Sequence, residues 1–302
     1  IRLISVVSGV QFPAPPPRLK LDSRVKLFLL KTIFMNEISS SFIATLTQSL
    51  GNRHLDFHEK FTFIQDQNKH KINYLSAGVC IPIFYDAGQF YIQLIKRSSK
   101  VSQPGDLSFP GGMLSPIKDN LLECFISWGI IPIIRHNKHL FLNHYESNVR
   151  RIIKLYLASA LREAWEEIGM NPCRLIYLGP LPTYTLKMFR RVIFPSVCFI
   201  QKQSQYRLND EVDRIINIPL TLFFDEGSYF RLAVEMPERG ELAEEFPCLL
   251  FQERNGTKEH ILWGATFYVI MNLLEIVYNL QIPPIPESRT IKKTLLANYH
   301  HS

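Results

Sequence analysis

Between residues 151 and 169 the apolar positions Ile152, Leu155, Ala158, Leu161, Trp165 and Ile168 recur at spacings of three and four. That period predicts a helix packed along one face, and Gly169 is its natural stop. A different pattern governs the chain before it. Residues 77–85 and 89–96 are β-rich runs on either side of Asp86-Ala87-Gly88, which reads as a hairpin. Beyond the helix, strand-like runs follow at 174–179, 188–200, 212–218, 229–234, 248–252 and 261–263, and a last helix is expected from Gly264 to about Leu280. Strands interleaved with a few helices predict an α+β fold, a mixed α/β/α sandwich. Ahead of it, residues 41–50 have the apolar spacing of a short helix, and the polar stretch through about Lys71 reads as a linker.

With 302 residues, 46% of them hydrophobic and 20% charged, the chain is long enough to bury a sizeable core and has the composition of a soluble globular protein. The net charge of +7 suggests a nucleic-acid partner, but its distribution argues against one. Residues 1–34 hold six basic groups against Asp22 alone, which leaves 28 basic and 26 acidic residues in the remainder. That balance is too even to carry binding to DNA or to a membrane surface, so neither is expected as a partner. The five cysteines are scattered, with no C-x-x-C pair, and fit a reducing cytoplasm. The apolar stretch 261–282 is punctuated or flanked by His260, Asn272, Glu275 and Asn279, as suits a core helix and not a membrane span.

The first 34 residues are unusual in another respect. The sequence opens on Ile1, and Gly9-Val10-Gln11-Phe12-Pro13, followed by Ala14 and three prolines, can be back-translated into the T-arm and acceptor stem of a transfer-RNA gene. The expectation is a non-native leader over 1–34 with Met35 as the start; a genuine Pro-rich disordered leader is the alternative. The expected division is then an N-terminal helix and linker over 35–73, a compact domain over 74–282 and a tail over 283–302.

The candidate chemistry lies on the predicted helix. Glu163, Glu166 and Glu167 stand at i, i+3 and i+4, so their carboxylates share one side. An oxygen-only set of that density suits Mg²⁺ or Mn²⁺, and Arg162 can orient a carboxylate four residues on. Taken alone, three glutamates would more often be a solvated acidic face.

Context decides against that reading. Arg162-Glu163-Ala164-Trp165-Glu166-Glu167-Ile168-Gly169-Met170 resembles the second half of the Nudix box, G-x5-E-x7-R-E-U-x-E-E-x-G-U with U a bulky apolar residue, apart from the small Ala164. Gly112 would begin the first half, and there the match fails. The expected acid falls at Lys118, with Asp119 one place late, and Arg162 lies 50 residues beyond Gly112 where the box expects 14. The resemblance therefore implies a Nudix fold with a subdomain inserted at about 113–150. Its apolar content predicts an ordered insert, helical around Leu121, Leu122, Phe125 and Ile126, that buries Trp128. It either covers the active site or forms a contact within a homodimer.

A narrower similarity covers roughly 75–280, to the coenzyme A diphosphatase branch of that superfamily. Leu94-Ile95-Lys96-Arg97-Ser98, Gly105-Asp106-Leu107-Ser108-Phe109-Pro110-Gly111-Gly112, Ala160-Leu161-Arg162-Glu163-Ala164, Asn209-Asp210-Glu211-Val212, Ile218-Pro219-Leu220 and Leu262-Trp263-Gly264-Ala265-Thr266 carry it. The resemblance implies hydrolysis of a small nucleotide substrate, coenzyme A or acyl-CoA, to 3′,5′-ADP and 4′-phosphopantetheine. It implies metal ligation by Glu163, Glu166 and Glu167, catalytic roles for these with Arg162 and Glu211, and substrate contacts at Arg97, Ser98, Gly111 and Gly112. The alternative for Glu211 is a surface ion pair with Arg207 or Arg214. Trp263 is expected in the core, and Ser108, without an adjacent base, as structural. Other nucleoside diphosphate derivatives, such as ADP-ribose, or a binding module without turnover remain the rival readings.

Overall fold

The computed structural model describes residues 40–51, 53–137, 144–186, 189–202, 205–235, 244–253 and 258–295. The 1–34 leader and Met35 lie outside them, as do Met188 and residues 138–143 of the insert. Ser41–Ser302 make up one compact unit, whose architecture follows.

Helix α1 covers 40–51 and α2 Phe57–Lys69. The hairpin follows as β1 (Leu75–Asp86) and β2 (Gln89–Arg97), turning on Ala87 and Gly88, both at positive φ. Two short strands, β3 (Leu107–Ser108) and β4 (Gly111–Met113), lead into α3 (Pro116–Ser127) and a 3-10 turn (Pro132–Asn137). The long helix α4 (Ser147–Ile168) is closed by Gly169 in the left-handed conformation. After it come β5 (Leu175–Pro180), β6 (Tyr184–Leu186), β7 (Arg191–Ile200), β8 (Val212–Pro219), β9 (Tyr229–Glu235), β10 (Glu244–Gln252) and β11 (Glu259–Leu262). Helix α5 (Gly264–Tyr278) and strand β12 (Thr290–Thr294) complete the described chain.

The main sheet runs β3-β2-β1-β7-β5, with β4 on β1, β6 on β7 and β8 on β2; β1 and β7 are parallel, and the other pairs are antiparallel. Period-two alternation sorts its two faces. Cys80 and Phe84 of β1, with Phe194 and Cys198 of β7, pack with α2 and α4, where Tyr156 stacks on Phe194 at 3.6 Å between ring centroids. Ile81 and Ile83, with Val197 and Phe199, pack instead with α1, α5 and the inner residues of a second sheet ordered β11-β10-β9-β12. The result is the expected α+β sandwich, a sheet between helical layers with a second sheet on one side.

Three expectations need correction. The stretch read as a linker contains α2, whose buried Phe57 and Ile64, with half-buried Phe61 against Tyr156, tie the helix to α4. The stretch read as a tail contains β12, which pairs in parallel with β9. Trp128 is 69% exposed, because α3 anchors itself through Ile126 and Asp119 and turns Ile117, Leu121 and Trp128 outward.

Candidate active site

The insert returns the chain to where it left. Although Gly112 and Arg162 are far apart in sequence, β4 lies beside α4 so closely that a Cβ on Gly112 would stand 2.5 Å from the Glu163 Cδ. A side chain there would have to displace the Glu163 carboxyl group. The preceding residue, Gly111, donates its backbone N–H to Glu167 Oε2 at 3.0 Å. Loop and helix are thus joined at two successive residues.

The acid that falls one place late is in position. Asp119 is fully buried and takes the Arg162 guanidinium on both oxygens, from Nε at 2.6 Å and Nη2 at 3.3 Å. It also accepts the Ser115 N–H at 2.6 Å. Arg162 Nη2 donates to the Met113 carbonyl at 3.0 Å, and Nη1 to Glu163 Oε1 at 2.8 Å and Glu166 Oε2 at 3.0 Å. The fork anticipated toward a helix glutamate is therefore made to Asp119, which leaves one guanidinium nitrogen to order two carboxylates. Lys118, at the position where the motif expects an acid, lies 3.6 Å from Glu166.

The three glutamates sit in graded environments. Glu166 is exposed and Glu163 half-buried, its carboxyl pushed up by burial against the pull of Arg162. Glu167 is buried. Desolvation raises its carboxyl to about 8 even though the Gly111 N–H opposes the shift, Glu163 and Glu211 raise it further, and Arg97 lowers it.

Glu211 reaches this neighbourhood on a loop sewn to both flanking elements. Asn209 N–H donates to the Glu167 carbonyl at 2.8 Å, and Ser98 N–H to the Glu211 carbonyl at 2.8 Å. Ser98 Oγ donates to the Asp210 carbonyl at 2.7 Å. Ser98 thus braces this loop through both its N–H and its hydroxyl. The exposed Glu211 has no cation within ion-pair distance among the described residues; Arg214 pairs with Asp213 at 3.2 Å.

Beside the carboxylates opens a cavity of about 470 Å³ lined by Gly111, Gly112, Arg97 and Ser108, with apolar walls that include Phe246 and Trp263. Trp263, expected in the core, is half-buried at this wall, its indole N–H 3.2 Å from Asp106 Oδ1. Arg191 lines the same space and carried no motif signal; a lone basic residue at a strand start is ordinary in sequence.

Among the described residues no three His, Cys, Asp or Glu side chains converge into a ready metal cage. The donor chemistry nevertheless fits a hard divalent cation: every available ligand is a carboxylate oxygen, and Glu167 faces two further acids from a buried position. A cation at Glu163 and Glu166 would compete with the Arg162 contacts that now neutralise them.

No family model matches the chain. Curated proteins do. Similarity extends to Nudix hydrolase 15, mitochondrial, of Arabidopsis thaliana (24% identical over 208 residues, 67% of this chain and 58% of the relative). It extends also to the peroxisomal coenzyme A diphosphatase NUDT7 of Mus musculus (22% over 191 residues, 63% and 64%) and to NudL, an uncharacterized Nudix hydrolase of Escherichia coli (24% over 221 residues, 72% and 91%). The chain is thus similar to Nudix hydrolases over about two thirds of its length. It spans less than two thirds of the length of the first two of these Nudix relatives. Solved Nudix structures align more loosely, among them a Caenorhabditis elegans Ap4A hydrolase binary complex at 14% identity over 49% of this chain and 81% of that one, with a TM-score of 0.32. Measured against the Nudix box, the corresponding motif here is interrupted by α3, the 3-10 turn and the first turns of α4. No helix among the described residues is long and apolar enough to cross a membrane.

Proposed function

We propose that the chain is a Nudix diphosphatase that hydrolyses a pyrophosphate bond in a nucleoside diphosphate derivative, with coenzyme A or acyl-CoA as its preferred substrate and Mg²⁺ or Mn²⁺ as cofactor. The observation that carries the reading is the closure of the interrupted box. Gly111 and Gly112 meet Glu167 and Glu163, and Asp119 holds Arg162, at the mouth of a cavity of nucleotide-binding size.

Each part of this chain then has a task. Asp119 fixes the Arg162 fork, and Arg162 holds Glu163 and Glu166 side by side against their mutual repulsion. Glu163, Glu166 and Glu167 are the groups that would hold the cation. Bound divalent ions supply stabilisation of charge developing on phosphoryl oxygens and acidify water. Glu211, on its braced loop, and the helix glutamates are all chemically able to accept a proton from the attacking water. Arg97, held through Nε by the Ser102 carbonyl at 2.8 Å, presents charge to the cavity for a phosphoryl group.

Coenzyme A is favoured by the motifs that line the cavity, 105–112 and 262–266, and by similarity to a relative described as a coenzyme A diphosphatase. The apolar walls suit a pantetheine arm, whose remote contacts can improve positioning of the reacting bond. The interrupted box, with Lys118 where the motif expects an acid, motivates a second reading, a binding module without turnover. A panel of diphosphates assayed with Mg²⁺, Mn²⁺ or chelator separates the two: metal-dependent turnover supports catalysis, and binding without turnover of any diphosphate supports the module.

A further inference from the structure

Arg191 opens β7, where its backbone is paired on both sides, to Leu75 of β1 and Leu186 of β6. The backbone position is therefore fixed. Its half-buried side chain lines the cavity, and its Nε is buried with no hydrogen-bond partner. No carboxylate lies within ion-pair distance of it among the described residues. Burial and the nearby positive charge of Arg97 both weaken its hold on the proton, so the two guanidiniums feel each other across the cavity.

Arg97 has no acidic partner within ion-pair distance among the described residues either; its fork is held by neutral atoms, the Ser102 carbonyl and Oγ. Two acids line the same cavity. Asp106 is engaged by Lys293 and Trp263, and Glu244 is exposed. The lining hydroxyl Ser108 Oγ is likewise buried without a partner. An unpartnered Arg191 Nε and an idle Ser108 hydroxyl beside the Arg97 guanidinium are costly in the empty protein and complementary to a multivalent oxyanion.

We propose that Arg191 and Arg97, with Ser108, form a recognition site for a substrate phosphoryl group, separate from the carboxylate cluster that would hold metal, and that Arg191 sets specificity through it. The proposal rests on the diphosphatase reading for the identity of its ligand as a phosphoryl group. Two sources of that chemistry fit, the pyrophosphate bridge itself and a phosphomonoester elsewhere on the nucleotide.

The test uses the full chain in chelator, so that metal-held binding does not contribute. Adenosine 3′,5′-bisphosphate, adenosine 5′-monophosphate and inorganic pyrophosphate are titrated calorimetrically into wild type, Arg191→Gln and Arg191→Lys, with thermal unfolding of each ligand-free protein. Arg191→Gln is expected to weaken at least one of the bisphosphate and pyrophosphate about tenfold or more, with Arg191→Lys between it and wild type. Its ligand-free melting temperature should equal or exceed that of wild type, because an uncompensated charge has been removed. Loss confined to the bisphosphate identifies a monoester site, and loss of pyrophosphate identifies the bridge. Binding within twofold of wild type for all three, no binding to wild type, or a lowered melting temperature with affinity unchanged would overturn the proposal. Failure here with metal-dependent turnover intact leaves the diphosphatase reading standing, whereas an Arg191-dependent anion site without turnover of any diphosphate rejects that reading alone.

Discussion

Replacing Glu167 with glutamine should make the metal-free protein more stable at alkaline pH while disabling it. Glu167 is 5% exposed, and its carboxyl is raised from 4.5 to about 8 by burial, with Glu163 and Glu211 adding to the effect. A carboxyl raised in the folded state binds its proton more tightly there than in the unfolded chain. The stability it contributes is complete below about pH 4.5 and is lost as pH climbs through 8. Between pH 5 and pH 9 the loss amounts to about 4 kcal/mol, an upper bound because relaxation and water entry reduce it. Glutamine is neutral throughout and keeps an oxygen for the Gly111 N–H, so it escapes that loss. Thermal unfolding in chelator at the two pH values measures the difference. The gap between variant and wild type should widen in favour of the variant on going to pH 9, by about 2–4 °C for each kcal/mol realised. Saturating Mg²⁺ should narrow it by stabilising only the wild type. A pH-independent gap, or a variant that loses ground at pH 9, would refute the placement of Glu167 as an uncompensated buried acid.

Other substitutions probe the remaining joints of the site. Asp119→Asn should cost about 3 kcal/mol in denaturant unfolding, because it leaves the Arg162 guanidinium without its buried counter-charge, and a cost below 1 kcal/mol would deny the pair its role. Gly112→Ala places a methyl group against Glu163 and should lower turnover at least tenfold with a smaller effect on folding, read from kcat beside the unfolding midpoint. Trp128→Ser, at a side chain turned to solvent, should shift stability by no more than about 0.5 kcal/mol, which chemical denaturation can check.

The sequence was most legible where a local pattern had a local cause. The three-four spacing from Ile152 to Ile168 and the stop at Gly169 mark α4, although the helix begins earlier, at Ser147. Asp86-Ala87-Gly88 marks the hairpin, and Gly264 the start of α5. Helix α2 was missed although Phe57, Phe61 and Ile64 stand at helical spacing, because the charged and amide residues around them were taken as a linker, and β12 because Thr290-Ile291-Lys292-Lys293-Thr294 is a short polar edge strand. At the site, the glutamates were readable from helical spacing. Asp119 was not, since a motif counted along the chain cannot see that α3 brings an acid back to Arg162. Arg191 and the commitment of Ser98 to the Glu211 loop depend on long-range closure, which leaves no periodic trace. Trp128 was misplaced because apolar content was taken as burial, whereas α3 needs only one face to attach to α4.

The most direct test of the account is product analysis. The purified full chain is incubated with coenzyme A and with ADP-ribose under matched conditions, with Mg²⁺, Mn²⁺ or chelator, and the products are separated by chromatography. The account predicts that a divalent cation is required, that coenzyme A is converted to 3′,5′-ADP and 4′-phosphopantetheine, and that it is cleaved more efficiently than ADP-ribose. Preferential cleavage of ADP-ribose would contradict the coenzyme A assignment, and no turnover of either with either metal would contradict the catalytic reading of the closed Nudix box.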